Sequence, residues 1–160
     1  MLAAIEASLA QGGFKMTRDS VGGRQAVIGR TAAFRLRWLA TRLHTFVLAA
    51  VFEGRTARPD KLDRFLEECG QYARTMKGGL PAGLQTGTVA VAVAVAESAE
   101  EAGDWAVVSH GHKFASLAYP VLVDVARRTV TCPQHMFIGA IYQGHLRRVV
   151  ADHVAPAVSG

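Results

Sequence analysis

Valine and alanine alternate without interruption over eight residues, from Val89 to Ala96. Successive side chains of a β-strand point to opposite faces, so a strand here places all four valines on one face and all four alanines on the other. A strand that is apolar on both faces is usually covered on both sides, and the small alanine side chains allow a helix or a second sheet to approach closely. We therefore predict that Val89–Ala96 is the central strand of a sheet.

Two segments have the apolar spacing of amphipathic helices that could cover such a sheet. In the first, residues 59–77, Pro59 suits the opening turn because its missing amide is one that a helix start leaves unpaired, and the carboxylate of Asp60 meets the positive helix end. The second segment, residues 138–154, carries an apolar stripe that predicts a closing helix. Shorter helices are predicted at residues 2–10 and 97–109.

Residues 24–53 fit two different structures. An apolar stripe of helical spacing runs through the segment, and neither proline nor glycine interrupts its second part. However, apolar and basic residues alternate with period two from Phe34 to Trp38, and residues 44–52 are rich in types that favour strands. We favour two strands over one long helix. Further strands are predicted at 114–125, where Pro120 indicates an edge strand or a strand start, and at 129–132, which closes a hairpin.

These elements predict a two-layer α+β domain that spans residues 1–160. Its mostly antiparallel sheet has Val89–Ala96 near the middle and is covered by the helices at 59–77 and 138–154. A chain of 160 residues suits one domain with a substantial core. The helix within residues 1–13 could be loosely attached.

Neither a secretory signal nor a membrane span is expected. The first thirteen residues lack a basic start and include Glu6, and the longest uncharged window, residues 78–96, is continuously apolar only over its last eight residues. Two cysteines, Cys69 and Cys132, do not make a disulfide framework in a chain of this size. We therefore expect reduced thiols and a cytoplasmic protein.

The positive charge is concentrated in one part of the chain. The net charge is +5, but residues 14–58 hold nine basic residues against two acidic ones, which gives +7 there and −2 for the remainder. Such a segment is either a solvated basic face or a site for nucleic acid, an acidic protein or an anionic lipid surface. Phe34 and Trp38 are interleaved with it, as in surfaces that stack bases. The candidate anion-binding residues are Arg30, Arg35, Arg37 and Arg42.

A glycine-rich loop joins the helix at 59–77 to the valine–alanine strand. A phosphate-binding loop follows a strand and opens a helix, so that backbone amides face the anion, whereas this loop leaves a helix and enters a strand. We interpret it mainly as a connector. If it borders a ligand site, Gln85 and Thr86 are the expected contacts.

Two histidine-containing motifs could supply metal ligands. His110 and His112 can point the same way on an extended segment, and further ligands could come from Asp124, His135 or Cys132. A structural zinc site normally needs two ligand pairs, and these motifs are not linked in the sequence. No cofactor is therefore predicted, with a divalent metal as the alternative. For Asp124 the favoured role is to form the turn before the hairpin.

The residue pattern leaves three function classes open. A non-enzymatic binding or assembly module that self-associates is favoured, because only 19% of residues are charged and no catalytic set converges in the sequence. The first alternative is a protein that binds nucleic acid or another polyanion through residues 14–58. The second is a metal-dependent hydrolase that uses His110, His112 and Asp124.

Overall fold

The computed structural model describes residues 1–35, 41–54, 57–77, 86–102, 104–107, 116–133 and 140–159. Several predicted site residues lie outside these ranges: Arg37, Gln85, His110, His112 and His135. In chain order the strands are β1 Lys15–Val21, β2 Arg24–Arg35, β3 Thr41–Phe52, β4 Thr86–Ala96, β5 Ser116–Asp124 and β6 Thr129–Thr131. The helices are α1 Leu2–Gln11, α2 Pro59–Met76, α3 Ala140–His153 and α4 Ala155–Ser159.

The six strands form one sheet whose spatial order is the same as their order in the chain. β3, β4 and β5 run parallel, and the described pairs β1–β2, β2–β3 and β5–β6 are antiparallel. The mostly antiparallel α+β fold and the central position of Val89–Ala96 are therefore confirmed. A parallel pair needs a crossover connection, and α2 provides it between β3 and β4.

Both faces of β4 are buried, as its alternating sequence predicts. The alanines of β4 pack toward α2, in a core that includes Phe46, Leu48 and Phe65. The valines pack toward α1, α3 and α4, in a second core that includes Ile5 and Leu146. The two predicted covering helices thus lie on opposite faces, which makes three layers where we expected two. The reason is that a strand apolar on both sides cannot leave either face in water.

The region from 24 to 53 is two antiparallel strands, as favoured from the sequence. β2 and β3 pair continuously from Ala26 opposite Ala50 to Arg35 opposite Thr41. The helix at Pro59 is also confirmed, and so are the first helix, the hairpin and the last helix in their described parts. Ile5 and Leu9 of α1 are fully buried, so this helix is part of the core beneath the valine face.

The helix predicted over residues 97–109 is wrong for the residues that the structure describes. Only Glu100–Ala102 forms a short 3-10 helix, and 104–107 is a turn. Trp105 is buried against the α2 core, and its indole Nε1–H donates a 2.7 Å hydrogen bond to Asp63 of α2. We attribute the difference to this tertiary contact and to Asp124, whose carboxylate accepts a hydrogen bond from the amide of Ala99 in the same connection.

The sheet ends in the short strand β6. Pro120 lies in the middle of β5, so the prediction that it starts a strand is wrong, and β5 pairs with β4 on one side and with β6 on the other. Among the described residues β6 borders β5 only over Leu122 to Asp124, which leaves Pro120 beside an unpaired stretch where a missing amide is tolerated. In the described part of the chain, no helix is both long and apolar enough to cross a membrane. Both Cys69, which is buried, and Cys132 are free thiols.

Because α2 packs on the alanines of β4, enlarging one of these alanines should destabilise the protein. We expect Ala92→Leu to lower the free energy of unfolding by about 1–3 kcal/mol, because the added atoms overpack the contact between β4 and α2. Urea denaturation measures this change. The half-exposed Val51 offers a control, since Val51→Leu should stay within about 0.5 kcal/mol of the parent. Equal stability of all three proteins would contradict close packing of α2 on the alanines.

Candidate functional site

Polar and basic side chains gather where β3 and β4 begin, on the side of the sheet that faces α2. Side chains at even positions of β3 and β4 face α2, as Phe46 and Ala90 show. The parallel register places Arg42 beside Thr86 and His44 beside Thr88. The positions that hold core residues further along both strands are thus occupied by polar residues at this end.

Arg30 of β2 joins this group through the end of α2. Its guanidinium donates hydrogen bonds to the carbonyl oxygens of Met76, at 3.0 Å, and Lys77, at 2.5 Å, and it lies 5.3 Å from the centre of the Phe46 ring. The last carbonyls of a helix have no partner within the helix and carry its negative end, so a cation is favoured there. Arg30 therefore anchors the end of α2, and with it Lys77, beside the start of β3. We name Arg30, Arg42, His44, Lys77 and Thr88 the basic cluster.

The centre of the basic cluster holds two buried polar atoms for which the described residues provide no hydrogen bond. They are Oγ1 of Thr88, a residue only 2% exposed, and Nδ1 of His44. A buried polar group that loses its hydrogen bond costs about 1–3 kcal/mol. The two atoms lie on adjacent strands, beside several cations.

The electrostatic environment of His44 is positive. Burial lowers the pKa of His44 below its usual value of 6.5, and the nearby charges of Arg30, Arg42 and Lys77 lower it further. The imidazole is therefore neutral at physiological pH. Positive potential at the surface draws negatively charged ligands toward it. The arrangement can accept an anion at the exposed guanidinium of Arg42, with neutral imidazole and hydroxyl groups next to it.

The predicted anion-binding residues are only partly brought together. Arg30 and Arg42 both belong to the basic cluster, and Thr86 of the predicted ligand loop pairs directly with Arg42. Arg35 ends β2, but its side chain is outside the described part, as are all of Arg37 and Gln85. His44, Lys77 and Thr88 were not predicted. In the sequence they are polar residues at the ends of apolar runs. That pattern indicates a shared site only when the parallel register of β3 and β4 is known.

Asp124 has a structural role. It is 3% exposed, its Oδ1 accepts a 2.9 Å hydrogen bond from the amide of Arg127, and its Oδ2 accepts a 3.0 Å hydrogen bond from the amide of Ala99. The carboxylate thus holds the turn before β6, as the favoured interpretation predicts, and ties it to the connection after β4. His110, His112 and His135 lie outside the described residues. Within the described ranges, no three potential metal ligands lie together.

Comparison with known proteins identifies no relative of this chain. We found no match to a family model, a curated protein or a solved structure.

The role of Asp124 predicts a loss of stability without any metal dependence. We expect Asp124→Ala to lower the free energy of unfolding by about 1–3 kcal/mol, because two amides lose their acceptor. Asp104→Ala removes the same group from an exposed position and should have little effect. Thermal unfolding with and without a chelator measures both variants. A midpoint that falls on chelation in the parent but not in Asp124→Ala would indicate a metal ligand instead.

Proposed function

We propose that this protein binds a phosphate-bearing or similar anionic ligand at the basic cluster, without a catalytic step. The observation that carries the proposal is the parallel pairing of β3 with β4, which sets Arg42 beside Thr86 and His44 beside Thr88, where the charges of Arg30, Arg42 and Lys77 all act on His44. Guanidinium and ammonium groups are the side chains that bind phosphate most strongly. A bound anion would also offset the mutual repulsion of Arg30, Arg42 and Lys77.

The two buried polar atoms support a compact anion rather than a polymer backbone. Nδ1 of His44 and Oγ1 of Thr88 are shielded from solvent, so a ligand oxygen reaches them only if neighbouring side chains move. A terminal phosphate or sulfate displaces fewer neighbouring atoms on reaching such buried groups than a phosphodiester flanked by sugars. Binding of nucleic acid, the polyanion alternative from the sequence, would also depend on Arg35, which ends β2, and on Arg37, which lies outside the described residues.

The first test follows the His44 ring by NMR during titration with sulfate, whose charge does not change near neutral pH. We expect sulfate to raise the pKa of His44, because the anion counteracts the three cations that lower it. Sulfate should accordingly bind more tightly as the pH falls. In Arg42→Gln we expect binding about tenfold weaker, which corresponds to about 1.4 kcal/mol.

Arg64→Gln is the matched control for this experiment. Arg64 is an exposed arginine of α2 that pairs with Glu68, about 20 Å along the helix from Lys77. The Arg64→Gln variant should bind sulfate like the parent. An unchanged pKa of His44 at saturating sulfate, or equal weakening in both variants, would refute the proposed site. Tighter binding of a short oligonucleotide than of sulfate, lost in Arg35→Gln, would favour the nucleic-acid alternative.

Self-association is a second candidate function, and the edge strand β1 favours it. β1 pairs with β2 over seven consecutive residues without a bulge and forms the outer edge of the sheet. The turn between them is Gly22–Gly23, both with positive φ, which keeps the hairpin regular. Most of β1 is exposed. A regular, open edge is a template for another strand.

Symmetry restricts how two copies could pair through β1. In a dimer whose two-fold axis is normal to the sheet, each face of one copy continues the same face of the other copy. Residues that lie opposite each other must therefore point to the same face, and an antiparallel pair satisfies this only when its centre is one residue. Centring on Arg18 opposes like charges. Centring on Thr17 places Lys15 opposite Asp19 of the second copy, and opposite charges across strands are favourable. We propose this register for an assembly of two copies.

Charge exchange tests the register by light scattering on a sizing column. We expect a concentration-dependent dimer that is weakened about tenfold or more by Asp19→Lys, since two pairs of like charges then face each other. The double variant Lys15→Asp/Asp19→Lys should restore the dimer, even though Asp19→Lys also removes the hydrogen bond from Tyr72. A strict monomer in the parent, or a double variant no better than the single one, would exclude this assembly.

A further inference from the structure

Arg30 is half-buried and is held at the end of α2 by three contacts. Its two Nη atoms donate hydrogen bonds to the carbonyl oxygens of Met76 and Lys77, at 3.0 Å and 2.5 Å, and its guanidinium lies 5.3 Å from the centre of the buried Phe46 ring. A guanidinium over an aromatic face is attracted by the ring. The cation is therefore already committed to the helix end in the ligand-free protein.

The end of α2 depends on few other hydrogen bonds. The amide of Lys77 donates a 3.1 Å hydrogen bond to the carbonyl of Ala73 and closes the last turn. The carbonyls of Met76 and Lys77 come after it, and the final carbonyls of a helix have no partner within the helix. Because helix ends open more readily than helix centres, the donors of Arg30 should keep this turn closed.

The charges that meet at the basic cluster also bear on this contact. Burial lowers the pKa of His44, and the charges of Arg30, Arg42 and Lys77 lower it further, so the three cations act on one place. Like charges repel each other, and a bound anion would reduce that repulsion. An anion in the basic cluster should therefore favour the arrangement in which Arg30 and the last turn of α2 stay together.

We propose that Arg30 is a positioning residue of the basic cluster, which stays on the carbonyls of Met76 and Lys77 when the anion binds and so couples binding to the closed last turn of α2. This inference rests on the proposed anion site. Coupling of this kind is reciprocal, so an anion that stabilises the turn is bound more tightly when the turn is closed. If Arg30 instead turned to ligate the anion, the carbonyls would lose their donors and the turn would open.

Hydrogen exchange of the Lys77 amide, followed by NMR in the whole protein, distinguishes the two arrangements. We expect saturating sulfate to slow this exchange about fivefold or more relative to chloride at the same ionic strength. The amide of Leu62, which bonds to Arg58 at the other end of α2, should change little. Faster exchange of Lys77 in sulfate would mean that Arg30 leaves the helix, and either this result or an unchanged rate would overturn the proposal.

Substitution of Arg30 gives a second measurement. We expect Arg30→Gln to speed exchange of the Lys77 amide in the free protein and to weaken sulfate about fivefold or more, with Arg30→Lys between this variant and the parent. At saturating sulfate the pKa of His44 should still rise in Arg30→Gln, because the anion then occupies the same place. Sulfate affinity and Lys77 exchange that both match the parent would overturn the positioning role.

Arg148→Gln is the matched control, since Arg148 is an exposed arginine of α3 that also donates a 3.1 Å hydrogen bond to a helix carbonyl, that of Gly144. It should leave sulfate affinity and Lys77 exchange as in the parent. A His44 pKa that does not respond to sulfate in the parent would refute the anion site and the coupling together. Sulfate binding that shifts the pKa of His44 without slowing exchange of Lys77 would refute the coupling alone.

Discussion

The structure depends on the burial of one strand on both faces. β4 has no polar side chain from Val89 to Ala96, and all eight residues are almost completely inaccessible to water. Two layers of helices are needed to achieve this, one against the alanines and one against the valines. The difference in side-chain size has a direct consequence, because α2 rests on methyl groups whereas α1, α3 and α4 pack against larger valine side chains. The two hydrophobic cores thus meet at β4, which contributes its alanines to one and its valines to the other.

The polar side chains that the fold brings together lie at the ends of the buried strands. At the beginning of β3 and β4 the apolar alternation gives way to Arg42, His44 and Thr88, and the end of α2 lies above them. Arg30 connects β2 to the end of α2. Its hydrogen bonds to the carbonyls of Met76 and Lys77 satisfy the helix end, and its charge adds to the basic cluster. The same contact therefore serves both stability and the positive potential. At the other end of the strands, the carboxylate of Asp124 accepts two backbone hydrogen bonds and lies 3.6 Å from the guanidinium of Arg127.

The sequence by itself determined the elements whose pattern is local. The period-two alternation of Val89–Ala96, the helical spacing after Pro59 and the role of Asp124 in its turn all depend on residues close together in the chain. Tertiary structure alone decided the rest. The connection after Glu97 is not a helix in its described part, because Trp105 and Asp124 make contacts that outweigh weak helical spacing. His44 meets Thr88 only because α2 returns the chain to run parallel to β3, and no local pattern specifies which residues of two distant strands become neighbours.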